Sequence, residues 1–447
     1  MSNNRHALFD KKGRLNFALA EQCLLNQGKY LYEAFTETYF AFNGRFYSPI
    51  HEIAFEKKIS ELFGSSIRES DIRVLLKRFT RRIGVHHLLI EHTNKNLLNL
   101  QNGVLDLSDP SNTSLLPHSS DIVSFSCVST KYDSSAQCPE WMKFLNTVTQ
   151  GDRDTKRLIQ EMFGYCLLPG NWMQVAFILM GDGNNGKSKL LEVLRALLGD
   201  GSTSSLSLNE LDQRFKRALL RGKLANISDE APTGKEISSD VFKNLVGGGI
   251  ITAEEKNKPP FQFQNTAKII TAANKPPVLR EQTHALHRRL VVIPFEHQIT
   301  KDERNPYMID RLKNEMSGIL NWAIRGLRRL QKQKMFTDCP AAEAAKGKFI
   351  KDSDSVMLFV EECCKRKSSF QVSTIGFYRA YRKFCDERGY LPCADNEFGK
   401  RLKLHIKTLN RQRLARDGNR EWIYQGVKLT DEAESRYDDA WRSGARH

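Results

Sequence analysis

Residues 174–198 read QVAFILMGDGNNGKSKLLEVLRALL: an apolar run, a glycine-studded turn and a helix pattern in immediate succession. The first part predicts a buried strand over 174–180 and the last a helix over 187–198. Between them Gly181, Gly186, Lys187 and Ser188 satisfy G-x-x-x-x-G-K-S, with Gly183 as an extra flexible point. Glycines let backbone N–H groups converge on phosphate oxygens, and the positive end of the following helix strengthens that field. Lys187 is placed to reach β- and γ-phosphates, and Ser188 to ligate Mg²⁺. The loop Gly181, Asp182, Gly183, Asn184, Asn185, Gly186, Lys187, Ser188 and Lys189 is thus expected to hold ATP with Mg²⁺.

Downstream, strand patterns at 223–228, 267–273 and 289–295 and a hairpin-like stretch over 250–263 alternate with helical segments. Such alternation indicates a parallel α/β sheet with helices on its faces. Asp229 and Glu230 end one of these strands. Asp229 suits the Mg²⁺ shell, and Glu230 suits polarisation of an attacking water. Adjacent acids are common on surfaces, so their place one helix and one strand beyond the loop is what singles them out. Asn274 ends another strand, where an amide can touch a γ-phosphate or its water; Asn-Lys-Pro-Pro is equally ordinary turn chemistry. Arg288 and Arg289 enter a further strand. An arginine beside a γ-phosphate stabilises transition-state charge, whereas an arginine pair at a strand edge is more often solvated or ion-paired.

Composition narrows the class. Of 447 residues, 40% are hydrophobic and 27% charged, as in a globular protein of two to four domains. No apolar run approaches the ~20 residues of a membrane span, and the N-terminus MSNNRHALFDKKGRL has no secretory core. A cytoplasmic location is expected. None of the nine cysteines forms a C-x-x-C pair, which argues against a structural zinc site and for reduced thiols. A net charge of +16 favours a polyanionic partner, most commonly nucleic acid.

The chain divides into an N-terminal region over 1–138, an ATPase over 139–335 with a helical lead-in over 139–172, a linker over 336–354, and a basic domain over 355–447. Residues 14–92 read mainly as helices, and Asn102-Gly103 marks a hairpin turn. Residues 308–333 read as one long helix with a core-facing stripe. Two helices followed by two strands around Asp417-Gly418 suggest a winged helix. Its basic residues Lys400, Arg401, Lys403, Arg411, Arg413, Arg416 and Arg420 suit phosphate contacts and groove entry, unless that face is simply solvated. No strand carries the paired carboxylates that a two-metal primer-synthesising site needs. Primase activity is not expected in this chain, though a separate primase or polymerase could act with it.

The segments GDGNNGKSKLLEVLRALLG, RFKRALLRGKLANISDE, FKNLVGGGIITAEEKNKPPFQF, AKIITAANKPPVL, HRRLVVIPF and GILNWAIRGLRRL occur in an order that resembles the superfamily 3 helicases. The branch is that of the poxvirus, phage and plasmid primase-helicases. The match runs over roughly 139–335, and NLQNGVLDL with KYDSSAQCPEWMKFL looks like the domain preceding this ATPase. The resemblance implies an AAA+ ring, a homohexamer with ATP between subunits. It assigns Lys187 and Ser188 to phosphate and Mg²⁺, Asp229 and Glu230 to the Walker B role, Asn274 to the sensor, and Arg288 or Arg289 to the arginine given by a neighbour. It also makes GGGIITAEEKNKPPF a pore hairpin whose Lys256 and Lys258 face DNA phosphates; taken alone, the stretch is an exposed charged loop. Lys189 departs from the hydroxyl residue that relatives often carry there.

The function expected is an ATP-dependent replicative DNA helicase of a virus, phage, plasmid or integrated mobile element, acting on single-stranded and forked DNA. The alternative is an origin-binding initiator in which ATP sets assembly and melting. A small-molecule P-loop kinase ranks below both, because it needs neither a basic winged helix nor a neighbour's arginine.

Overall fold

A computed structural model of the chain describes residues 8–10, 13–34, 36–64, 67–85, 96–109, 112–229, 239–256, 259–276, 284–416 and 419–437. Of the expected site residues, Glu230 and Lys258 lie outside these, as does the Asp417-Gly418 turn.

The first unit comprises α1 (Phe17–Gln27), β1 (Tyr30–Glu33), β2 (Thr38–Phe42), β3 (Tyr47–Ile50), α2 (Glu52–Phe63), α3 (Glu69–Ile83) and β4 (Gly84–Val85). Its sheet order is β3-β2-β1-β4. The mainly helical reading of 14–92 therefore fails over 30–50, where Tyr, Phe and Thr favour a pleated surface. This unit has its own core, built on Tyr30, Tyr39, Phe55, Ile59, Leu75 and Phe79.

A hairpin of β5 (Leu97–Leu100) and β6 (Gly103–Asp106), extended by β7 (Leu115–Leu116), follows. Leu100 pairs with Gly103, so the two-residue turn is Gln101-Asn102, one position earlier than the sequence suggested. The Asn102 side chain is spent elsewhere: its Nδ2 donates to Tyr132 O at 2.9 Å and its Oδ1 accepts from Tyr132 N at 2.8 Å. Leu98, Leu100 and Leu105 join the core of the following ATPase-type unit. The hairpin and the chain after it also bond to the first unit, with Asn99 Nδ2 donating to Arg45 O at 2.9 Å and Tyr47 N donating to Ser124 O at 2.8 Å.

That next unit runs through α4 (Pro139–Val148), α5 (Arg153–Cys166), β8 (Ala176–Met180), α6 (Lys187–Leu198), β9 (Thr203–Ser204), β10 (Ala225–Ser228), α7 (Ser239–Val246), β11 (Ile250–Ala253), β12 (Phe261–Gln264), β13 (Lys268–Ala273), β14 (Leu290–Pro294), α8 (Met308–Asn314), α9 (Met316–Gln333) and α10 (Pro340–Asp352). Its five-stranded sheet has the order β14-β8-β13-β10-β9, with every pairing parallel. All of β10 and β13 is buried, Asn226, Ser228, Lys268 and Thr271 included, so these strands show no alternation of buried and exposed positions. One face packs on α4, α5, α6 and α9; the other packs on α7, the β11–β12 hairpin and Phe349 of α10.

Two expectations are corrected here. The single helix over 308–333 breaks at Glu315, whose carboxylate accepts from Glu140 N at 3.0 Å and Trp141 N at 2.9 Å and so caps α4. The expected linker is largely α10, with Pro340 in its first turn and Phe349 only 1% exposed.

The last unit comprises α11 (Ser355–Cys363), β15 (Cys364–Ser373), α12 (Thr374–Arg388), α13 (Asp395–His405), β16 (Asn410–Arg416), β17 (Asn419–Leu429) and α14 (Asp431–Arg436). Its antiparallel sheet has the order β15-β17-β16. Phe359, Phe377, Tyr381, Phe384 and Phe398 fill a separate core. The nine cysteines are free thiols, and no helix among the described residues is long and apolar enough to cross a membrane.

Candidate nucleotide site and nucleic-acid surfaces

Parallel strands deliver their C-terminal ends to one edge of the sheet, and ligands of open α/β sheets bind there. At this edge β8 runs into the 181–186 loop. Two neighbours clamp the loop: Gly181 N donates to Ala273 O at 3.2 Å, and Phe295 N donates to Met180 O at 2.7 Å. Asn185 Nδ2 reaches Phe295 O at 3.0 Å, and Ile299 N reaches Asn184 O at 2.7 Å. A Cβ at Gly181 would lie 2.1 Å from Phe295 O, so only glycine allows this approach. Asn184 (φ 57°) and Gly186 (φ 87°) adopt left-handed conformations that turn the chain into α6.

Lys187 is 5% exposed; its Nζ donates to Gly181 O and to Asn185 Oδ1, the latter at 2.9 Å. Burial pushes its pKa below the usual lysine value, with Asp182 pulling the other way. Among the described residues, the N–H groups of Asn184, Gly186 and Lys187 have no protein acceptor. A glycine-only cradle, open N–H donors at a helix start and a desolvated ammonium together fit a phosphate. Ser188 is exposed at the start of α6, where its hydroxyl can meet a cation.

Asp229 follows β10, two strands away from β8. Arg195 of α6 holds it by a paired contact, Nη1 to Oδ1 at 3.0 Å and Nη2 to Oδ2 at 2.9 Å, and also donates to Ile227 O at 2.8 Å. Arg195 escaped the reading of the sequence; a lone arginine among the leucines of α6 was the available signal. Asn274 is exposed directly beyond Ala273, which pairs with Met180, so it stands beside the loop. The structure thus brings Lys187, Ser188, Asp229 and Asn274 to one edge of the sheet.

Arg288 and Arg289 are not brought there. They precede β14, whose first residue Leu290 pairs with Ala176, the first of β8. Five residues of strand, about 16 Å, separate them from the loop of their own chain. Arg288 is exposed. Arg289 Nη1 donates to Ala285 O at 2.5 Å, its Nε is buried without a partner among the described residues, and burial then Arg288 lower its pKa.

The 250–263 stretch is the expected hairpin, with Ile250 opposite Gln264 and Ala253 opposite Phe261. Lys256 is exposed at its tip, and Glu254 is tied to Arg214 at 3.0 Å. A cavity of about 1400 Å³ lies away from the phosphate loop, between the first unit and the hairpin base, and includes Tyr39, Phe40, Arg221 and Phe261. In the last unit Lys400, Lys403, Arg411, Arg413 and Arg420 are exposed. Arg416 lies in β16. Arg401 is a correction: it is 5% exposed and contacts Glu397 at 3.4 Å, because α13 turns that position into the core beside Leu402. It offers no surface to DNA.

Loop and sheet order define a P-loop-type α/β core. Matches to known families flank and overlap it: residues 26–150 match D5 N terminal like, 179–289 match a family of unknown function (DUF5906), and 351–442 match Poxvirus D5 protein-like. A mimivirus protein named as a helicase, L207/L206 of Acanthamoeba polyphaga mimivirus, is 30% identical over 225 residues, 46% of this chain and 22% of that protein. A protein named as primase C962R of African swine fever virus (isolate Tick/Malawi/Lil 20-1/1983) is 24% identical over 340 residues, 69% of this chain and 34% of that protein. The chain therefore spans about a third or less of these relatives. The apo structure of the NrS-1 C-terminal region, A form, superposes with a TM-score of 0.51 at 11% identity, covering 91% of this chain and 98% of that one, and shows a shared fold. With D5-type matches on both sides of the core, the chain is similar to viral proteins named as helicases and primases.

Proposed function

We propose that this chain is the ATP-driven motor of a replicative DNA helicase and tows one strand through a ring of identical subunits, a homohexamer. The observation that carries this reading is the split of the candidate site. The phosphate loop, Ser188, Asp229 and Asn274 stand at one edge of the sheet, and the arginine pair stands at the other end of β14. An arginine so placed can serve a phosphate only on another copy of the chain, which makes the ring part of the chemistry.

Bound ATP supplies the phosphoanhydride whose cleavage drives the cycle, and Mg²⁺ supplies neutralising charge at its phosphates. Lys187 and the open N–H groups of Asn184, Gly186 and Lys187 grip the triphosphate. Ser188 and Asp229 hold the cation, with Arg195 fixing Asp229 at its strand end. Glu230 takes the proton of the attacking water, and Asn274 orients that water. Lys256 and Lys258 meet strand phosphates from the β11–β12 hairpin. The last unit is read as a winged helix that holds DNA through α13 and the β16–β17 ribbon. Primer synthesis is not part of this reading; the protein named as primase C962R is about twice the length of this chain, and 34% of it is matched here. Action in the host cytoplasm goes with the same reading.

The test is ATP turnover and unwinding of a forked duplex. Wild-type turnover rises with single-stranded DNA, and Lys187→Ala lowers it by about a hundredfold or more. A Lys187→Ala protein that unwinds at the wild-type rate refutes the proposal.

A further inference from the structure

We infer that the exposed end of the β16–β17 ribbon, on the face that packs on α13 further in, is a stacking platform for an unpaired base of single-stranded DNA, with Trp422 as its floor. Residues directly opposite in an antiparallel pair share a face. The register sets Arg413 against Trp422, Arg411 against Tyr424 and Ala415 against Arg420. One face therefore carries three arginines and an indole, while Glu421, opposite Leu414, projects from the other. Trp422 is 44% exposed, and the guanidinium carbons of Arg411 and Arg413 lie 4.8 and 5.9 Å from its ring centroid. Arg411, Arg413 and Arg420 have no carboxylate partner among the described residues. Tyr424 is buried, and a Cβ on Gly399 would lie 2.8 Å from its hydroxyl, so this face begins against α13 and runs outward.

A half-exposed indole with two guanidinium groups over its ring, neither with a carboxylate partner among the described residues, meets two demands at once. Its remaining π-face takes a base, and the guanidinium groups take the adjacent anionic oxygens. Bases inside a duplex cover one another's faces, so only an unpaired base can lie on the ring, with its phosphates on the arginines. Arg411 and Arg413 recur about 6.7 Å apart along the strand, which gives the backbone successive anchors. The inference rests on the reading of the last unit as a DNA-binding domain, and it adds a strand state and a residue that the basic face alone does not specify.

The experiment uses the full chain without nucleotide. Affinities are measured for oligothymidylate, for an abasic strand of equal length and for a blunt duplex, with wild type, Trp422→Ala and Trp422→Phe. The expected result is a loss of about fivefold or more for oligothymidylate with Trp422→Ala. The abasic strand and the duplex are little changed, and Trp422→Phe recovers most of the loss. Irradiation of a strand carrying 5-iododeoxyuridine should place an adduct on Trp422. A Trp422→Ala effect equal on all three nucleic acids, or absent from all three, overturns the platform while leaving DNA binding by this unit standing. No binding of any of the three by wild type overturns both.

Discussion

Lys268 opens the central strand β13 with its ammonium fully shut away from solvent. Its Nζ donates to Leu168 O and lies 4.9 Å from the Tyr165 ring centroid and 5.5 Å from that of Trp172. Burial pushes its pKa from 10.5 down to about 7, with Cys166 pulling it back up. The unfolded chain thus binds a proton that the folded chain gives up between about pH 7 and 10.5, and stability rises with pH across that window. Below the folded pKa this contribution is lost. Wild type should gain roughly 3 kcal/mol from this group between pH 7 and 9.5, and Lys268→Met should remove that slope. Urea midpoints of both proteins at the two pH values decide it, and parallel pH dependences exclude the assignment. Lys268 sits at the opposite end of β13 from Asn274, so it bears on the rigidity of the strand and not on phosphate chemistry.

At the scale of elements, α5 and α9 cross by exchanging glycines. A Cβ at Gly164 would lie 2.4 Å from Leu327 N, and one at Gly326 would lie 2.3 Å from Gln160 O. Glu161, fully buried beside them, accepts from Arg329 Nε at 2.6 Å, Gln333 Nε2 at 3.0 Å and Thr337 N at 2.7 Å, and so locks the crossing that backs the phosphate-loop strand. Gly164→Ala must push backbone from backbone, and about 1–3 kcal/mol of stability should go with it. Gly347 in α10 faces open space, where an added methyl meets nothing within 4 Å. Gly347→Ala should therefore change stability in the opposite direction, by about 0.5–1 kcal/mol. Thermal or urea unfolding of the two variants checks the signs, and a shared sign contradicts the packing described. The strands β8 and β14 were legible in the sequence as unbroken apolar runs, and β10 and β13 as mostly apolar or small-residue stretches that end in polar turns. The helix α10 was not, because Ala, Lys and Asp in AAEAAKGKFIKD read as solvated spacer until Phe349 is seen under the sheet. Likewise β15, CKRKSSFQVS, is polar along most of its length, and its pairing with β17 cannot be read locally. Arg401 was misjudged for a related reason: charge is visible in a sequence, but the face of α13 on which it lies is set by packing.

Across the whole molecule, the first unit, the hairpin and the sheet are held as one mechanical path. Arg221, just before β10, donates to Thr38 Oγ1 at 2.9 Å and Glu33 Oε2 at 2.8 Å in the first unit, and its guanidinium lies 5.4 Å from the Phe261 ring centroid at the hairpin base. Motion of β10 at its Asp229 end therefore has a rigid route to the hairpin and to the first unit. On the proposed reading the arginines before β14 extend the same logic between copies, since the strand itself holds them away from their own phosphate loop. Complementation tests this directly. Lys187→Ala keeps its arginines and lacks a working loop; Arg289→Ala, or Arg288→Ala, keeps the loop and lacks one arginine. Each should be nearly inactive alone. Mixed one to one in a closed homo-oligomer, a site is whole when its loop comes from the arginine variant and its arginine from the lysine variant. Random assembly makes that so at about one site in four. Turnover near a quarter of wild type is the expected result with whichever arginine completes the site. If neither arginine variant restores activity on mixing, although each mixture co-assembles by crosslinking, the arginines do not act across subunits. Restoration by only one of the two identifies which side chain reaches the neighbour's phosphates, a choice that the β14 register leaves to the geometry between chains.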